Sequence, residues 1–207
     1  MFPRSVERRA SPLKGKATRA RVIDAAVRDL SINGLAGVTI GRVAEAAGLS
    51  KSGMFAHFRS KEALDIALLD EAARLAQGAV AGEAAKVSPG LPRLRSMITL
   101  WFGWPARAGL PGGCPIAAAV FELDDAEGPV RDHVAALEQS WRGVLVAEVQ
   151  AAIDLGQLRA DTDAEQLVWE LFGIYLAHHS SVRFSRDPDA GRRAETAVAA
   201  LLARAGA

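Results

Sequence analysis

Cysteine is almost absent from this 207-residue chain. The single Cys114 excludes an intrachain disulfide framework and fits a reducing, cytoplasmic setting. Aromatic residues make up 6%, with one tyrosine, and no apolar run is long enough to span a bilayer. Residues 1–10 are interrupted by Pro3, Arg4, Glu7, Arg8 and Arg9 and lack the apolar segment of a signal peptide. Four histidines, His57, His133, His178 and His179, show no His-x-x-x-His pair, and no Gly-rich phosphate loop follows a strand pattern. No cofactor, metal site or catalytic group is expected. Cys114 and the histidines read as structural or pocket-lining residues.

Half of the residues are hydrophobic, enough for a substantial core. The formal net charge of +1 conceals an asymmetry. Residues 1–62 carry 12 Lys and Arg against 5 Asp and Glu, a net +7; residues 63–207 carry 13 against 19, a net −6. The basic end suits a polyanionic partner.

Within that end, Thr39–Lys61 reads as two short helices joined by a turn. Val43 and Ala47 recur at i and i+4 beside Ala44, and Gly48 supplies a left-handed stop. Ser50 can cap a second helix whose Met54 and Phe58 face inward, leaving Lys51, Ser52, Gly53, Phe55 and His57 on the outer surface. Ser60 is a competent cap for the helix after it. A plain helical hairpin would share the apolar pattern. The helix-turn-helix reading adds a purpose, since its second helix lies in the DNA major groove and leads with its N-terminal residues.

These residues resemble the DNA-binding domain of the TetR family of bacterial transcription regulators. The similarity runs from the Thr39-initiated helix through Gly48-Leu49-Ser50 to Phe55, His57, Phe58, Lys61 and Leu64, and covers residues 17 to 70 closely. Phe55 stands where the family usually has tyrosine, so apolar contact with a thymine methyl replaces a phosphate-directed hydroxyl. Gly41 stands where many relatives carry a longer side chain, and Arg42 beside it is either a base contact or a solvated charge. The resemblance implies that Thr39, His57 and Lys61 grip phosphates while Lys51, Ser52 and Gly53, capped by Ser50, approach base edges.

Residues 1–16, with five basic side chains and two prolines, read as a mobile arm, either a phosphate contact or a solvated tail. The DNA-binding unit is expected over 17–62, opening with a helix from Ala17 to Asn33, and a ligand-binding and dimerisation unit over 63–207. The spacing predicts a connecting helix from Lys61 to about Lys86, a helix after Pro92 closed by Trp104-Pro105, and a loop from Pro105 to Pro115. A short helix from Pro115 to Leu123 follows, then a long one from Pro129 to Leu155. Thr162 and Glu165 read as a capping box for a helix to Phe184, and Asp187-Pro188 as the start of the last. The final two helices carry wide apolar faces and are the candidate dimer surface, with an intramolecular hairpin as the competing explanation.

The whole reads as an all-α, two-part homodimer that binds an inverted-repeat operator in double-stranded DNA and answers to a small molecule. Repression is expected. The effector is expected to be largely apolar, in a pocket drawn from Trp101, Phe102, Cys114, Phe121, Trp141, Phe172, Tyr175 and His178, with Arg107 as a further polar group. The alternative from another class is a helical small-molecule-binding or catalytic protein with a vestigial helix-turn-helix.

Overall fold

A computed structural model describes residues 12–206, with side chains described from Gly15 onward. The chain is all-α among those residues. α1 spans Pro12–Gly37, α2 Ile40–Ala46, α3 Lys51–His57 and α4 Lys61–Gln77, which runs on through a π-helical turn at Gly78–Gly82. Then come α5 Leu91–Trp101, α6 Trp104–Arg107, α7 Pro115–Glu122, α8 Pro129–Asp154, α9 Ala164–Ser180 and α10 Ala190–Arg204. Residues 1–11 of the expected arm lie outside the described residues. Residues 12–16 belong to α1 rather than to an arm, with Pro12 in the first turn, where its missing N–H costs nothing.

Two apolar clusters organise the packing. The first joins Val22, Ala26 and Leu30 of α1 to Val43, Met54 and Phe58, and closes with Leu64 and Leu68 of α4. Ala119 of α7 and Val134 of α8 also enter it, so the boundary expected at residue 62 falls inside one packed core. The second cluster is built from α5, α8, α9 and α10 around Trp101, Leu145, Leu171 and Leu202. α4 contributes to both, with Leu64, Leu68 and Leu69 in the first and Ala72 in the second.

Several element ends differ from the sequence reading. Gly34, at φ 67°, ends the regular part of α1 where the helix to Asn33 is expected to stop, although a separate final turn then runs on to Gly37. The stretch expected as loop after Trp104 opens with α6, because Pro105 suits the first turn of a helix as well as it ends a previous one. Asp163, not Thr162, caps α9: its carboxylate accepts from Gln166 N–H at 3.0 Å, while Thr162 Oγ1 is buried without a hydrogen-bond partner. The last helix starts at Ala190 rather than at Asp187-Pro188; Asp187 instead accepts from the Asp189 N–H at 2.8 Å. No helix among the described residues is long and apolar enough to cross a membrane.

Candidate DNA interface and ligand cavity

Three hydroxyls set the starts of the helices that build the basic end. Thr39 Oγ1 accepts from Arg42 N–H at 3.2 Å, Ser50 Oγ from Gly53 N–H at 3.0 Å, and Ser60 Oγ from Ala63 N–H at 3.1 Å. Each satisfies one of the amides that a helix start leaves without an internal partner. Gly48, at φ 65°, turns the chain between α2 and α3, and Leu49 N–H closes back on Ala44 O at 2.8 Å. Met54 and Phe58 are buried by this geometry, and Lys51, Ser52 and Phe55 are left exposed on the leading surface of α3.

The expected DNA-facing residues are not equivalent. Lys51 is exposed, and its stem passes beside Gly41, where an added Cβ would sit 3.5 Å from Lys51 Cε. Ser52 lies with its hydroxyl 2.9 Å from that of Ser50. Gly53 is half-buried against Ser50, Phe55 is half exposed, and His57 is half-buried in the last turn of α3. Arg42 reaches back to Asp29 at 3.1 Å. Lys61 is engaged within the protein, where its ammonium donates to Leu35 O at 3.1 Å and pairs closely with Asp65. Exposed Arg59, between α3 and α4, was not singled out from sequence; its neighbourhood to Phe58 and Ser60 was the available signal.

A cavity of about 380 Å³ lies in the other half. Trp101, Cys114, Trp141, Phe172 and Tyr175, all expected from sequence, line it together with fully buried Trp104. Trp101 and Tyr175 stack at 4.1 Å between ring centroids, with Phe172 4.8 Å and Trp141 5.8 Å from Trp101. Burial pushes the Cys114 thiol up and the Tyr175 phenol well above its usual value, so both stay neutral at neutral pH. Cys114 Sγ also accepts from Ala117 N–H at 3.4 Å and so caps α7.

Four expected positions lie outside the lining. Phe102 packs against Trp101 and Tyr175, and His178 against Phe102, without reaching the cavity. Phe121 is half exposed and stacks near-parallel on His179 at 6.4 Å, because it follows Val120 by one residue and so turns about 100° away from the lined face of α7. Arg107 is exposed outside the lining. None of the residues expected from sequence to line the cavity lies on α4, yet α4 lends Asp70, Ala73, Arg74 and Gln77 to the wall. Small and polar residues on a helix give no periodic signal of a cavity. The titratable lining is mixed: Asp70 pairs with His133 at 2.8 Å, Glu138 with Arg142 at 2.7 Å, and Arg74 with Glu71.

Residues 22–68 match the family described as bacterial regulatory proteins, tetR family, and residues 90–198 match the tetracyclin repressor-like, C-terminal domain. A TetR transcriptional regulator from Chloroflexus aurantiacus is 29% identical, with 92% of this chain and 95% of that one covered and a TM-score of 0.80. AibR, solved with isovaleryl coenzyme A and operator DNA, is 19% identical with 89% and 98% covered and a TM-score of 0.69. FadR from Bacillus subtilis, solved with stearoyl-CoA, is 17% identical with 88% and 97% covered and a TM-score of 0.68. No curated protein matches the chain. With more than half of its length matched by the second of these two domain descriptions and the helix-turn-helix by the first, the chain belongs to the TetR family of bacterial transcriptional regulators.

Proposed function

We propose that this regulator is a homodimeric repressor that binds an inverted-repeat operator and releases it when a small, largely apolar molecule occupies the aromatic cavity. The observation that carries the reading is the path of α4. Its first turns, with Leu64 and Leu68, pack under the helix-turn-helix, and its later turns, with Asp70, Ala73 and Gln77, wall the cavity. One rigid element therefore touches both sites, as coupling between them requires. The DNA-binding unit is built on α1, α2 and α3 and the ligand-binding and dimerisation unit on the helices from α5 onward, with α4 shared between them. That AibR was solved with both operator DNA and an acyl-CoA supports a two-ligand reading of the same fold.

Short recognition helices reach only a few bases each, so the dimer presents two of them about 34 Å apart or a multiple of that distance. Lys51, Ser52 and Gly53, behind the Ser50 cap, meet base edges, with Phe55 beside them; Thr39 and His57 hold phosphates, and Arg42, paired with Asp29, stands beside them as a base contact or a solvated charge. Lys61, with two of its three ammonium hydrogens committed to Leu35 O and Asp65, has one N–H left for a phosphate. Gel-shift and footprinting with the DNA upstream of its own gene test the reading. Two symmetric protected half-sites are expected, with Lys51→Ala changing base preference. A single half-site protected by a monomer, or no shift at all, overturns it.

A further inference from the structure

Where Gly34 interrupts α1, the carbonyls before it and the amides after it lose their helical partners. Groups from the far half of the chain satisfy them. Gly113 N–H donates to Ser31 O at 2.9 Å, Gly112 N–H to Ser31 Oγ at 3.1 Å, and Arg183 Nη2 to Ile32 O at 3.3 Å. On the other side of the interruption, the Glu122 carboxylate accepts from Leu35 N–H at 3.2 Å and from Ala36 N–H at 3.1 Å. Glycine makes this approach possible. A Cβ at Gly112 would fall 1.8 Å from Ser31 O, and one at Gly34 would fall 2.1 Å from Glu122 Oε1.

The segment bearing these groups is α7 and its lead-in. Glu122 is the last residue of α7, whose other positions Ile116, Ala117 and Val120, with the capping Cys114, wall the cavity. Eight residues make a rod of only about 12 Å, too short to bend between its ends. A shift at the cavity wall therefore moves the carboxylate that holds the amides of Leu35 and Ala36. Those amides lie just ahead of Val38, fully buried in the helix-turn-helix core, and of the Thr39 cap of α2.

We propose that Glu122 is a positioning residue that latches the α1–α2 junction to the cavity wall, so that operator binding and cavity state are coupled through α7 as well as α4. The latch rests on the DNA-binding reading above. Coupling is reciprocal, so DNA must perturb the cavity as a ligand there would perturb DNA binding, and no effector is needed to detect it. Three of the four tryptophans, Trp101, Trp104 and Trp141, line the cavity and report on it.

The test uses the full chain with all four tryptophans in place, titrated with a duplex carrying the footprinted upstream sequence. Wild-type Glu122 is expected to give an emission change that saturates with duplex binding. Glu122→Ala, which removes both acceptors, is expected to retain duplex binding but to lose about two-thirds or more of the emission change, with faster hydrogen exchange at the Leu35 and Ala36 amides. Glu122→Gln, which keeps one acceptor oxygen, should fall between them, and it carries the test if the alanine variant does not fold. An undiminished emission change in either folded variant overturns the latch, as does duplex binding by the parent with no emission change. If the parent binds no duplex, the functional reading falls and the latch with it.

Discussion

Lys61 and Asp65 form an ion pair at the junction of α1 and α4. The Asp65 side chain is 9% exposed and the Lys61 side chain 37%, and the ammonium also holds Leu35 O across the α1–α2 junction. Lys61→Ala leaves a buried carboxylate without its cation. A loss of roughly 1–2 kcal/mol in urea unfolding is expected, held below the value for a fully buried pair by solvent screening of the lysine. Burial raises the Asp65 carboxyl above its ordinary value of 3.8; Lys61 opposes the shift, and Glu122 and Glu62 add to it. The folded state therefore binds this proton more tightly than the unfolded chain, a stabilisation present at low pH and lost as pH rises through the folded pKa. Compared with Asp65→Asn, the wild type should lose relative stability as pH rises from the carboxyl's ordinary value of 3.8 toward neutrality in parallel unfolding titrations. A gap that widens in favour of the wild type over that range would contradict this account. The identity of Lys61 was legible from its place after the Ser60 cap, but its internal partners were not. Leu35 is 26 residues earlier in the chain, and sequence spacing carries no information about which lysines turn inward.

Helix starts were the most legible elements wherever one capping residue had no competitor. Thr39, Ser50 and Ser60 each cap the helix that their position indicates. At α9 the cap was expected at Thr162, but the neighbouring Asp163 holds it with its carboxylate. The consequence is a paired expectation. Asp163→Ala should cost about 1 kcal/mol of stability, whereas Thr162→Val, which deletes a buried and unpartnered hydroxyl, should be neutral or stabilising in thermal melts. The reverse order would mean that Thr162 carries the cap in solution. Cavity lining was only half legible for a related reason. Aromatic content marks which helices are rich in ring surface, but the face that each ring takes depends on partners elsewhere in the chain. Phe121 was thus drawn to His179, and Phe102 to the back of the Trp101 and Tyr175 pair, while Ala73 and Gln77 of α4 entered the wall.

At the scale of the whole molecule, the outward face of α9 is the feature that one chain leaves unused. Trp169 is 64% exposed, and Gly173 and Ala177 follow it at four-residue intervals, so one large ring and two small residues share a stripe beside α10. An exposed tryptophan on such a stripe fits burial against a second copy. Trp169→Glu should yield monomers in sedimentation at concentrations where the wild type is dimeric, and lose operator affinity with both halves of the fold intact by circular dichroism. A dimer of unchanged strength would place the interface elsewhere. The lone sulfur of the chain, finally, gives the molecule a clock. Cys114 is buried in the wall of the aromatic cavity, and its thiol is held neutral by that burial. A thiol-reactive dye can therefore modify the native protein only during transient opening, at a rate set by how often the chamber gapes. Anything that fills the chamber should slow that reaction in proportion to occupancy, so a library of natural metabolites can be screened by watching one sulfur fail to react.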